Sequence, residues 1–221
     1  MEYLPACPIC TEQKLSEYAS CKDYTVSGET FTLEQCANCG FVLTNPRPKE
    51  ADLAKYYQSD AYISHSDSSK NIIDRVYKIA RSFTLEWKYK LVTQNSVTKP
   101  FSLLDYGCGT GSFLQTCNVQ GLNIAGVEPA EKARTMAKQL TGIDISPEIE
   151  RVRGTFDAIT LWHVLEHVID LNNTVKQLRN RLNQNGTLFI AVPNLRSWDA
   201  KYYDEHWAAF DVPRHLWHFS R

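Results

Sequence analysis

The sequence predicts an α/β fold: an open, doubly wound parallel sheet preceded by a small cysteine-bearing module. Three observations carry this reading. An apolar strand pattern at Leu103–Leu104 runs into three glycines at alternate positions and then into a helical stretch, further strand-length apolar runs follow with helical stretches between them, and two Cys-x-x-Cys pairs lie near the N-terminus. Strand and helix alternate from there on, the pattern of a parallel sheet with right-handed crossovers.

The chain has 221 residues, 43% of them apolar, enough for one sizeable core and a small appendage. Its 24 basic and 25 acidic side chains leave a net charge of −1, which gives no global pull toward nucleic acid or anionic lipid. Met1–Pro5 shows no basic segment leading into an apolar run, and no uninterrupted apolar stretch reaches the roughly 18 residues of a membrane span. The expectation is a cytoplasmic protein with no membrane partner.

Cys7-Pro8-Ile9-Cys10 and Cys36-Ala37-Asn38-Cys39 are two knuckles that complete a tetrahedral Zn²⁺ site, with Gly40 supplying permissive backbone after the second. Two disulfides are the competing reading. Four thiolates leave no open position on a metal, so the role is structural. Cys21 is a spare thiol or an exchange ligand. Between the knuckles, Tyr24–Ser27 and Thr30–Glu34 are expected to form a hairpin turning at Gly28, and residues 1–45 resemble a zinc ribbon. Residues 1–69 hold five basic against ten acidic residues, the wrong sign for phosphate contacts, so the module is expected to brace its neighbour or shape a substrate entrance.

Residues 46–99 read as a helical linker or lid region. Asn45-Pro46-Arg47-Pro48 is an extended break, Glu50–Tyr57 a short helix, and the serine-rich Ser59–Asn71, with Tyr62 and His65, a loop that serves as lid or linker. From Ile72 to Val92, Ile72, Val76, Ile79, Ala80, Phe83, Trp87 and Leu91 define one helical face. The opposite face carries Arg75, Lys78, Arg81, Lys88 and Lys90, read as a solvated basic surface or, less simply, as a partner for an anionic substrate group.

In the domain spanning 100–221, the glycines are Gly107, Gly109 and Gly111, and Asp105 stands just before them. A carboxylate there repels phosphate and suits a cationic or hydroxyl-rich ligand lying against bare backbone. A second strand ends at Glu128-Pro129, 17 residues beyond Gly111, where an acid hydrogen-bonds ribose hydroxyls. Helix Ala130–Leu140 follows, with Ile143–Ile145 as a short third strand. The stretch Phe156–Val168 reads as a buried strand that delivers Trp162 and His163 to its C-terminal end, Leu171–Leu182 as a helix, Asn183–Gly186 as a turn and Thr187–Asn194 as a further strand. The last stretch is dense in aromatics and holds His206, His215 and His218, a composition that suits a ring-binding pocket.

The glycine stretch resembles the first motif of class I S-adenosylmethionine-dependent methyltransferases, and His163-Val164-Leu165-Glu166-His167 resembles a second signature of that family. The resemblance implies a Rossmann-like sheet and a cofactor held by Asp105, Tyr106, Gly107, Cys108, Gly109, Gly111, Phe113, Glu128, Pro129, Trp162 and His163. It implies catalytic roles for His163 and, through a Trp…Pro-Arg-His-Leu pattern, for His215 beside Arg214. Zinc-ribbon enzymes of this appearance imply a small-molecule acceptor, such as a sugar or sugar nucleotide. A ribosomal RNA methyltransferase with a zinc module and a non-catalytic zinc-ribbon interaction protein are the alternatives. The family normally continues with a helix and an antiparallel strand pair beyond the point reached at Arg221, so a fragment or a shortened sheet is expected.

Overall fold

A computed structural model describes residues 1–57, 72–97, 99 and 101–220. The described residues form two compact units, one drawn from Met1–Asp67, Leu165–Asn172 and Val192–Arg221, the other from Ser68–Val164 and Asn173–Ala191. The expected loop Ser59–Asn71, with Tyr62 and His65, lies outside the described residues. No helix among them is long and apolar enough to cross a membrane.

The first unit is built on an antiparallel sheet of β1 (Leu15–Lys22), β2 (Thr30–Cys36), β3 (Val42–Thr44) and the late pair Trp217–His218, in that order. The hairpin differs from expectation: residues 24–27 are its turn and the first strand lies earlier. Asp23 decides this, because its carboxylate accepts the backbone N–H groups of Thr25, Val26 and Ser27 at 3.0, 3.2 and 2.9 Å and wraps the chain into a side-chain-capped turn. Gly28 completes it at φ +69°.

The aromatic C-terminal stretch is divided between this unit's core and its surface. Trp207, Phe210 and Val212 pack with Cys21, Phe31, Leu33 and Tyr56. Trp198, Tyr202 and Tyr203 are exposed on a helix, Trp198–Tyr203, with the first two rings stacked at 4.9 Å. Arg214 is 1% exposed; its guanidinium donates to Asp23 at 3.0 Å, to Asp211 at 2.6 Å and to the Tyr56 carbonyl at 2.9 Å. Burial alone would raise the Asp23 carboxyl, yet Arg214 and Ser27 together hold it down at about 2.

The second unit carries a wholly parallel sheet of β4 (Ser102–Tyr106), β5 (Asn123–Val127), β6 (Phe156–Trp162) and β7 (Leu182–Ala191), ordered β5-β4-β6-β7. Its helices are α1 (Ile72–Asn95), α2 (Ser112–Val119), α3 (Glu131–Thr141) and, from Asn173 onward, most of α4 (Leu171–Asn180). The core gathers Val92, Leu103, Phe113, Leu114, Cys117, Leu122, Ala137 and Ala158.

Three local expectations change here. The stripe of α1 that faces the core is Leu85, Tyr89 and Val92, whereas Phe83 and Trp87 are 72% and 58% exposed. Both sets recur at helical spacing, so periodicity alone does not choose between them. Ile143–Ile145 forms no strand: Ile145 packs into the core, and pairing reduces to a bridge between Val127 and Ser146. Residues 183–186 belong to β7 as a bulge, the register stepping from Phe156↔Leu182 to Ala158↔Thr187.

Candidate active site

Beyond β4 the backbone takes left-handed conformations at Gly107, Gly109 and Gly111, with φ of +75°, +54° and +81°. The three positions are glycine for different reasons. A Cβ on Gly107 would lie 2.5 Å from Val164 Cγ2, and one on Gly111 would lie 2.9 Å from the backbone of Ala137, so these two permit close packing of neighbouring segments. A Cβ on Gly109 would meet nothing within 4 Å. Protein packing therefore does not demand the second glycine.

Gly109 faces a cavity of about 340 Å³ at the C-terminal edge of the parallel sheet, where open α/β sheets bind ligands. Asp105, Gly107, Cys108, Phe113 and Trp162 also line it, with Thr84, Leu85 and Lys88 from α1 opposite. Asp105 is 2% exposed and accepts a 2.6 Å hydrogen bond from the Thr160 hydroxyl. Burial pushes its carboxyl up to about 7, against the opposing influence of Thr160 and Lys88. Lys88 stands with Nζ 4.5 Å from the centre of the Trp162 ring, and burial lowers its pKa while Asp105 raises it. Trp162 in turn meets Phe113 edge-to-face at 5.4 Å.

Glu128 does not line this cavity, but it is fastened to the same loop. Its two carboxylate oxygens accept the N–H groups of Gly109 at 2.8 Å and Ala130 at 2.9 Å, while Arg134 clamps the Glu128 and Pro129 carbonyls at 2.8 Å. Tyr106, Gly111 and Pro129 are not among the lining residues. Tyr106 alternates to the other face of β4, where its side chain meets Thr174.

His163 sits at φ +59° just past β6, its N–H bonded to the Ala191 carbonyl at 2.9 Å, and lines a neighbouring cavity of about 410 Å³. His215 belongs to the other unit. It is buried there, with Nδ1 2.9 Å from the Ala209 carbonyl and its ring edge-on to His167 at 4.6 Å. Burial, helped by His167, pushes it down to about 4, so it is neutral at physiological pH. Glu166, His167 and His215 each bring one donor atom within 4.8 Å of the others. Sequence reading missed Thr84, Leu85 and Lys88; a lysine in a basic helical stripe gives no local sign that its neighbours will bury it.

The four sulfurs of Cys7, Cys10, Cys36 and Cys39 lie within 4.8 Å of one another, with Cys7–Cys39 at 3.6 Å and Cys10–Cys36 at 3.4 Å. These separations exceed a disulfide bond of about 2.05 Å. They approach the edge of a tetrahedron with metal–sulfur bonds of about 2.3 Å, which is roughly 3.8 Å. The donor set fits zinc. Cys21 is apart from it, buried in the hydrophobic cluster and pushed up to about 12 by that burial.

Residues 61–221 match a family described as a methyltransferase domain. The chain belongs to the class I S-adenosylmethionine-dependent methyltransferases. The ubiquinone biosynthesis O-methyltransferase of Pelagibacter ubique is 30% identical over 114 residues, covering 48% of each chain. The chain thus spans about half the length of the curated relatives it matches. Among solved structures, magnesium protoporphyrin IX methyltransferase from Synechocystis PCC 6803 with bound SAH superposes with a TM-score of 0.55 at 14% identity, over 78% of this chain and 84% of that one. The plantazolicin methyltransferase, solved with a desmethyl analogue and SAH, gives 0.52 at 18% identity, over 71% and 64%. Both likenesses support the fold.

Proposed function

We propose that this chain binds S-adenosylmethionine at the Asp105–Gly109 cavity and catalyses methyl transfer to a small-molecule acceptor. One observation carries the reading: a glycine that packing does not require opens onto a cavity beside a buried carboxylate. Such a carboxylate, raised by burial, gains most from a cation that restores its counter-charge. Asp105 and the glycine backbone would hold the amino-acid end. Glu128, which does not line the cavity, would act by fastening the Gly109 loop that does, and Phe113 with Trp162 would wall the site.

When bound, the cofactor supplies a methyl group already activated by its sulfonium. The protein's share is to align and to exclude water, and alignment alone is worth about 7–11 kcal/mol in favourable systems. His163, at the end of β6, is the candidate to take a proton from a hydroxyl acceptor. His215, neutral and enclosed in the other unit, would act as a base only if substrate reached it. The name of the ubiquinone relatives supports a small acceptor, whereas the acidic N-terminal module disfavours RNA. The four-cysteine set would hold one structural zinc.

Calorimetric titration of SAH into wild type and Gly109→Asn tests the cofactor site. Asparagine tolerates left-handed backbone, and its side chain would enter the cavity rather than the core. The reading expects binding weakened about tenfold or more, at least about 1.4 kcal/mol, with unchanged circular dichroism; equal affinities would refute it. Gly107 is a poorer choice because any side chain there strikes Val164.

A further inference from the structure

Methyl transfer makes no use of a separate cavity of about 290 Å³ that lies wholly within the first unit. Cys21, Trp207, Phe210 and Val212 supply its apolar surface, and none of them is more than 7% exposed. At the rim Tyr24 is 68% exposed and stacks on His206, the ring centres 6.2 Å and the planes 24° apart. The Trp207 indole N–H donates to Asp199 at 2.9 Å, which leaves the rest of that ring as carbon surface. The segment that supplies most of the wall is held under backbone strain at both ends, Asp204 at φ +46° and Asp211 at φ +37°, a condition that collects at binding sites.

Charge decides what such a space can hold. Three carboxylates line it, those of Asp23, Glu205 and Asp211, against the two cations Lys22 and Arg214. Arg214 is already engaged: Nε and Nη2 donate to Asp211, Nη2 also to Asp23, and Nη1 to the Tyr56 carbonyl. Asp23 and Asp211 thus share one guanidinium, while Lys22 stands with Nζ 5.6 Å from the centre of the Tyr24 ring. The second Asp211 oxygen lies 3.8 Å from His215 Nε2, and that imidazole, pushed down to about 4, brings no charge at neutral pH. Negative field reaches the apolar wall as well, since Glu205 and Asp204 reinforce the burial that raises the Cys21 thiol.

An anion would meet an excess of like charge here, and a neutral apolar guest would leave that excess unanswered. A strongly hydrated metal ion would gain little from the rings. An organic ammonium uses both parts of the cavity, its carbon against the aromatic wall and its charge toward the carboxylates. We propose that this cavity binds a small organic ammonium ion, with Tyr24 and Trp207 as ring contacts and Glu205 and Asp211 as its counter-charge. The inference stands apart from methyl transfer, because Asp105 and its cavity belong to the other unit.

The test uses choline, whose charge is permanent, and its uncharged isostere 3,3-dimethylbutan-1-ol, each titrated into the full chain at low salt. The readout is the indole N–H signal of Trp207 in nitrogen-15-labelled protein, which reports this cavity, whereas the Trp162 signal reports the one beside Asp105. Choline should move the Trp207 signal with an affinity about tenfold or more above that of the alcohol. Tyr24→Ala and Glu205→Gln, both at exposed positions, should each weaken choline about two- to fivefold, the range of an exposed cation–π contact and an exposed ion pair. Glu205→Gln should leave the alcohol's affinity unchanged. Equal affinities for choline and the alcohol, a Trp207 signal that choline does not move, or an equal response to potassium at the same concentration overturns the assignment. Undiminished choline binding in both variants also overturns it, as does a choline response confined to Trp162, which would place the cation beside Asp105. SAH affinity does not enter this readout, so the methyl-transfer reading stands or falls separately.

Discussion

Replacing Asp105 with asparagine should stabilise the ligand-free protein and weaken its cofactor binding, and both effects should follow pH. The folded carboxyl titrates at about 7 rather than at its ordinary 3.8, with burial the main cause. Because the folded pKa is the higher one, the native state holds the proton more tightly than the unfolded chain. Stability therefore falls as pH rises from about 3.8 to about 7 and is level above that. A gap of about three units corresponds to roughly 4 kcal/mol. Asparagine never ionises and keeps an oxygen to accept the 2.6 Å bond from Thr160. Urea unfolding of the two proteins should thus diverge by about 2 kcal/mol between pH 5.5 and pH 8, with the variant ahead. Binding runs the other way. If the cofactor's ammonium requires the carboxylate, the ionised fraction drops about tenfold from pH 8 to pH 6 and the Kd for SAH rises about tenfold. Asp105→Asn should show a weak, flat profile. A variant no more stable than wild type at pH 8, together with a level wild-type Kd from pH 6 to 8, would refute the reasoning.

Other expectations are simpler. Mass spectrometry of native protein should find one zinc per chain, and Cys36→Ser should lose it together with much of the first unit's thermal stability, since a closed thiolate site contributes folding energy directly. Arg214→Met should cost about 3–5 kcal/mol in denaturant unfolding, because it strands the buried Asp23 carboxylate; a loss below about 1 kcal/mol would show that pairing to be dispensable. Gly107→Ala should destabilise through its 2.5 Å approach to Val164, and Val164→Ala in the same chain should recover part of the loss, leaving the strain of φ +75°.

What the sequence disclosed was set by how local the physics is. Gly107, Gly109 and Gly111 answer to backbone geometry within a few residues, and the cysteine pairs to the reach of two tight turns, so both were legible. The strand ends that carry Asp105 and Glu128 follow from short apolar runs, and these also appear where expected. The turn at Asp23 was hidden because an aspartate that caps a turn looks, in sequence, like any polar residue within a strand. Pairing of Val42 and Leu43 with His218 and Trp217 joins opposite ends of the chain, and no local pattern foretells it.

Lys88 shows why the site was read only in part. In sequence it shares a stripe with Arg75, Lys78 and Arg81, and solvation is the sensible reading of such a stripe. Yet α1 turns Leu85, Tyr89 and Val92 into the core, and that rotation carries residue 88 onto the wall beside Asp105 and Trp162. A helix with two apolar stripes can be seated on either, and the choice decides which polar residues reach the cavity. Moving the seat should therefore move the lysine: Tyr89→Ala, which weakens the present stripe, should release Lys88 from burial and let its pKa rise toward the ordinary lysine range, as read by NMR titration of its side chain. An unchanged Lys88 titration would mean that the stripe on which α1 is seated does not decide which polar residues reach the cavity.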